Sequence, residues 1–133
     1  MWVLPTERSN KADALWEKWR AEKVEITGPP LLYAEVTSVI RENVYHQRLL
    51  EEEGEDAFAA FCQMGIRSIS HPELHLKAWE LAKEYNQPRA YDSQYLALAK
   101  LMGCELWTAD KSLVNSLQGK LSWVKWIGDY VLR

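Results

Sequence analysis

Cys104-Glu105-Leu106-Trp107-Thr108-Ala109-Asp110 decides the fold: an apolar run of strand length, closed by an aspartate that starts a helix. Gly103 ends the helix before it, since glycine takes the left-handed conformation of a helix C-terminus at little steric cost. A strand flanked by helices pairs in parallel with its neighbours, because the crossover helix returns the chain to the same end of the sheet. The spacing predicts a helix over Ala90 to Met102 ahead of this strand and a short one from Asp110 to about Leu117 behind it. Trp123 to Ile127 then forms the last strand.

The alternation continues toward the N-terminus. Pro72, at a first helical position, opens a helix through Leu74, Ala78, Leu81 and Tyr85 that stops before Pro88. Ile66 to Ile69 is a short strand, and Gly65 closes the helix before it. That helix, Glu51 to Met64, has an acidic start that suits the positive end of the helix dipole. A further helix from about Pro30 to Gln47 carries an apolar stripe at Leu32, Val36, Val39 and Ile40. Val24-Glu25-Ile26 alternates as a short strand before Gly28-Pro29-Pro30. The first helix, capped by Ser9 or Asn10, carries Ala12, Leu15, Trp16 and Trp19 and ends near Glu22. Strands alternating with helices define an α/β sandwich around a small parallel sheet.

At 133 residues and 47% apolar side chains the chain has the size of one domain, spanning residues 1–133. Sixteen basic against 19 acidic residues give a net charge of −3, which excludes nucleic-acid binding by wholesale phosphate neutralisation; any such contact is local. Five of the acids sit between Glu51 and Asp56, so the remainder, with 14 acids to 16 bases, is slightly positive. Cys62 and Cys104, 42 residues apart and outside any metal-ligand pattern, are expected as reduced buried thiols of a cytoplasmic protein. No signal-peptide or membrane-spanning run is found.

Three carboxylates sit where packing alone accounts for them poorly. Glu35 follows Leu32 by three residues and precedes Val39 by four, so it is expected along the apolar stripe. Asp92 begins a helix on the side of Tyr95, Leu96 and Ala99, again expected inward, and Asp110 ends the most apolar strand at the carboxyl edge where open α/β folds place ligands. Each has a plain alternative: the two aspartates as helix caps, Glu35 as a semi-buried partner of an arginine. Together they could hold a hard divalent cation, Mg²⁺ or Mn²⁺, suited to phosphodiester hydrolysis.

The stretches Leu31-Leu32-Tyr33-Ala34-Glu35-Val36, Ala90-Tyr91-Asp92-Ser93-Gln94-Tyr95-Leu96-Ala97-Leu98-Ala99 and Leu106-Trp107-Thr108-Ala109-Asp110-Lys111-Ser112-Leu113 resemble the three downstream motifs of PIN domains. Within them the chain is similar to the VapC-like toxins of type II toxin–antitoxin pairs, and the resemblance covers essentially all of it. It implies a three-layer α/β/α sandwich around a small parallel sheet and a Mg²⁺- or Mn²⁺-dependent endoribonuclease, with Glu35, Asp92 and Asp110 at the catalytic and metal-binding positions. It also implies a homodimer and an antitoxin whose tail covers the acidic pocket. The family opens with an apolar strand ending in aspartate, followed by a turn like Trp2-Val3-Leu4-Pro5-Thr6-Glu7. Here only Met1 precedes that turn, so the first strand and first metal aspartate are expected to be missing, leaving an unpaired edge on each neighbouring strand. A PIN-like protein impaired in catalysis, acting by binding an antitoxin or related partner, is the alternative reading.

Other candidates are weaker. His71 and His75, four apart, could share a helix face as zinc ligands, but His71 precedes Pro72 and has no third Cys or His ligand nearby, which favours a cap. Trp16, Trp19, Trp79, Trp107, Trp123 and Trp126 are expected mostly in the core; the alternative is that one exposed ring stacks on RNA. Thr108 and Asn115 flank the Asp110 turn and could orient its carboxylate or a phosphate, or serve as local caps.

Overall fold

Proline at the first helical position costs no hydrogen bond, and Pro30 starts α2 (Pro30–Tyr45) in the computed structural model, which describes residues 10–132. The expectations for residues 1–9, including the opening turn and Ser9, lie outside the described residues. The chain divides into two compact units, the first ending at Ser68 and the second beginning at Ile69.

In the first unit, α1 (Asn10–Ala21) is followed by β1 (Thr27–Gly28), α2, α3 (Glu51–Gln63) and β2 (Arg67–Ser68). β1 and β2 pair in parallel, Thr27 opposite Arg67 and Gly28 opposite Ser68. The strand expected at Val24 to Ile26 is displaced toward Gly28: the first bond across the pair runs from the Arg67 amide to the Ile26 carbonyl at 2.9 Å, so ladder pairing begins only at Thr27. Leu32, Val36 and Ile40, each four residues after the last, are buried along one row of α2 and join Leu49, Ala57, Phe61 and Ile66 in the core. Tyr33 fixes the helix's rotation, its hydroxyl donating to the Ile66 carbonyl at 2.5 Å and its ring lying 5.0 Å from that of Phe61. α3 starts with the Glu53 carboxylate accepting from the Leu50 amide at 3.1 Å, and it approaches α2 closely at buried Gly54, where a Cβ would overlap Cγ2 of Val44.

The second unit contains α4 (Leu74–Glu84), α5 (Tyr91–Met102), β3 (Leu106–Thr108), α6 (Lys111–Ser116) and β4 (Val124–Trp126), followed by a single 3₁₀ turn. Pro72 does not open α4, which starts two residues later with Glu73 as cap; the His71 imidazole Nδ1 accepts from the Glu73 amide at 3.1 Å, so that histidine shapes the turn before the helix. Leu74, Ala78 and Leu81 of α4 pack with Leu96, Ala97 and Leu98 of α5 and with Leu113 and Leu117. Alanines at 78 and 97 have only a methyl to interpose, which lets helices approach closely. Gly103, at φ +66°, ends α5 as the sequence requires. β3 and β4 are parallel in the register Leu106 to Val124, Trp107 to Lys125 and Thr108 to Trp126.

Helices alternating with parallel strands agree with the α/β class expected from the sequence. One expectation about the interior does not hold. Cys62 and Cys104 are free but exposed, although partial burial of the Cys104 thiol pushes its pKa up. Of the described tryptophans only Trp79 is exposed, at 62%, because α4 turns its Leu74, Ala78 and Leu81 row inward; the others are half-buried, Trp123 against the core. Among the described residues no helix is long and apolar enough to cross a membrane.

Candidate functional site

β3 delivers the best-defined carboxylate. Thr108, its last residue, is 3% exposed, and its Oγ1 accepts from the Asp110 amide at 3.0 Å. That bond holds the Asp110 backbone in an extended conformation at the mouth of α6, where the carboxylate Oδ1 accepts from the Leu113 amide at 3.1 Å. Asp110 is thus an N-cap, satisfying a helix amide that would otherwise lack a partner. One carboxylate oxygen accepts the cap bond, and among the described residues the other has no hydrogen-bond partner, so the capping and ligand readings of Asp110 are compatible. Thr108 orients the backbone that carries the carboxylate, whereas Asn115 stands exposed on α6.

Asp92 is the second residue of α5, whose cap position, Ala90, offers no side-chain bond. A carboxylate in an uncapped first turn is favoured by the helix dipole. The sequence placed Asp92 on the inward side, but it is exposed. It lies four residues before buried Leu96 and seven before buried Ala99, at the end of the buried row where packing stops. The next residue, Ser93, is fully buried, and its hydroxyl has no hydrogen-bond partner among the described residues. Gln87, in the connection that leads to α5, donates through Nε2 to Ser116 Oγ on α6 at 3.0 Å and to the Tyr85 carbonyl at 3.1 Å. Ser116 Oγ in turn donates to the Leu113 carbonyl at 2.6 Å, so this connection is tied to the helix that Asp110 caps.

Glu35, in the first unit, is also exposed instead of inward. The buried row of α2 is narrow, running through Leu32, Val36 and Ile40; Glu35 and Val39 form the adjacent row, and Val39 is itself 42% exposed. An exposed carboxylate needs no buried partner, which removes the desolvation argument for Glu35. A groove of about 370 Å³ between α2 and α3, lined by Ile40, Arg41, Glu51, Glu55 and Phe58 among others, includes none of the three predicted acids. Within either unit, among the described residues, no three His, Cys, Asp or Glu side chains gather closely enough to hold a metal ion.

Sequence reasoning gave no role to Lys111, although it directly follows Asp110. Its ammonium lies 3.7 Å from the centroid of the Trp126 ring, and the register that sets Trp126 opposite Thr108 brings this pair to the Asp110 turn. The signal available beforehand was the basic residue beside the strand-end aspartate.

Residues 1–115 match the family model of the PIN domain. The chain belongs to the PIN domain family, and the three motifs quoted from the sequence all lie within the matched segment. It is similar to VapC ribonuclease Mb0985 of Mycobacterium bovis and to ribonuclease VapC9 of Mycobacterium tuberculosis, each 28% identical over 100 residues that cover 75% of both chains.

Proposed function

We propose that this protein is a metal-dependent endoribonuclease, the toxin of a type II toxin–antitoxin pair, and that Glu35, Asp92 and Asp110 are its catalytic acids. Membership of the PIN domain family and likeness to proteins named VapC ribonucleases support the class. The observation that carries the site is the Asp110 turn: a carboxylate held by hydrogen bonds at the carboxyl end of a parallel strand, with one oxygen unpartnered among the described residues. The donor set is entirely carboxylate oxygen, which fits Mg²⁺ or Mn²⁺ and not a thiol- or imidazole-preferring ion. Such an ion, when bound, activates water and stabilises charge on the phosphodiester oxygens. The chain's own contribution is positional: Thr108 holds the Asp110 backbone, and the first turn of α5 presents Asp92 to solvent. The same reading brings an RNA substrate, a cognate antitoxin, a second copy of the chain as partner and a cytoplasmic place of action.

The test is cleavage of RNA by the purified chain with Mn²⁺, compared with Asp92→Asn and Glu35→Gln. Cleavage that both substitutions abolish is expected. Equal activity in Asp92→Asn would overturn the assignment.

A further inference from the structure

The cation beside Asp110 is held by an arrangement that helix stability does not explain. Lys111 is the first residue of α6, where the helix dipole disfavours positive charge. It is exposed and makes no ion pair with another described residue; its ammonium lies over the Trp126 ring, 3.7 Å from Nζ to the centroid. That distance is well inside the range at which an ammonium is attracted to an indole face. The ring is itself constrained. Gly128 lacks the Cβ that would overlap Cζ2, Cζ3 and Cη2 of Trp126, so the six-membered ring lies close against the backbone there. Trp126 also sits across the parallel ladder from Thr108, whose hydroxyl fixes Asp110. Backbone register, a glycine and a cation–π contact thus combine to hold the ammonium of the residue that follows Asp110.

We propose that Lys111 is a phosphate-binding residue for single-stranded RNA, with Trp126 the positioning residue that holds its ammonium in place. This rests on the ribonuclease reading of Asp110 and extends it to how the substrate is held. A carboxylate repels a phosphodiester, and a cation held on the adjoining residue offsets that repulsion at one point. The overall charge of −3 makes such a local contact the available means of holding an RNA backbone.

The full chain is titrated with a fluorescent ten-nucleotide oligouridylate in EDTA, so that binding is read without cleavage, at salt concentrations from 50 to 200 mM. Lys111→Gln is expected to flatten the dependence of log Kd on log salt by about 0.7, the share of one phosphate contact on a single strand. Lys111→Arg is expected to keep the slope, as is Lys120→Gln, a control at an exposed lysine beyond α6. In cleavage with Mn²⁺, Trp126→Leu is expected to raise KM several-fold more than it lowers kcat, with Trp126→Phe closer to the unaltered chain; circular dichroism checks that each variant is folded. An unchanged slope in folded Lys111→Gln, or no RNA binding by the unaltered chain, overturns the proposal even if RNA is cut. RNA bound through Lys111 but never cut overturns the ribonuclease reading and leaves this one standing.

Discussion

The two parallel strand pairs end differently. β3 pairs over three residues and runs out into Thr108-Ala109-Asp110, where two hydrogen bonds fix a carboxylate at the start of α6. β1 pairs over two and runs out into Gly28-Pro29, both buried; a Cβ on Gly28 would lie 2.6 Å from Cδ2 of Leu32. One strand end is given over to a polar turn, the other to packing. Glu35 arrives more than a turn later and is aimed by the phase of α2 and not by a hydrogen-bonded loop. A carboxylate fixed through its own backbone responds to substitution of its neighbours, whereas one placed by helix phase responds to changes in how the helix packs.

The largest expected effect separates charge from cap at Asp110. Asp110→Asn should lower RNA cleavage by more than the roughly 10- to 100-fold that loss of a group supporting a metal ligand costs. Its thermal midpoint should stay within a degree or two, because asparagine caps as well as aspartate. Asp110→Ala should lose the same activity and about 1 kcal/mol of stability in a urea titration. Equal midpoints for the two variants would remove the capping half of the comparison.

Next in size is Gly54→Ala, which crowds Val44 across the α2–α3 contact and should cost about 1–3 kcal/mol despite the better helix propensity of alanine. Adding Val44→Ala should recover part of the loss, and no recovery would break the packing account. Thr108→Val deprives the Asp110 amide of its acceptor and should cost about 1–2 kcal/mol while also lowering cleavage. Cleavage unaffected by that change would mean that the turn does not position the carboxylate. The smallest effect is expected at Gly28→Ala. The atom in the way is a terminal methyl of Leu32 that can rotate, so a loss below about 1 kcal/mol by urea titration is the anticipated result.

Several element boundaries set by local chemistry were legible in the sequence, although α4 starts two residues after Pro72. Gly65 and Gly103 both have positive φ where helices stop, and Pro30 opens α2. The Asp110 cap was readable for the same reason, since it depends on residues within three positions. Less legible was what depends on partners far along the chain. The first strand moved to Thr27–Gly28 because its ladder is set by Arg67 and Ser68, some 40 residues on. The outward placement of Glu35 follows from how narrow a face the core accepts, which Tyr33 and Phe61 determine and a stripe of apolar residues does not reveal. The Lys111–Trp126 contact required the β3–β4 register, which no local pattern encodes.

The bond from the Leu113 amide to Asp110 Oδ1 has a practical consequence. An ion that draws electron density from this carboxylate weakens it as an acceptor, so occupancy is reported at an amide three residues away. The Leu113 N–H resonance should therefore move, and its solvent exchange quicken, as Mg²⁺ is added, giving a spectroscopic readout of the site in the absence of any RNA.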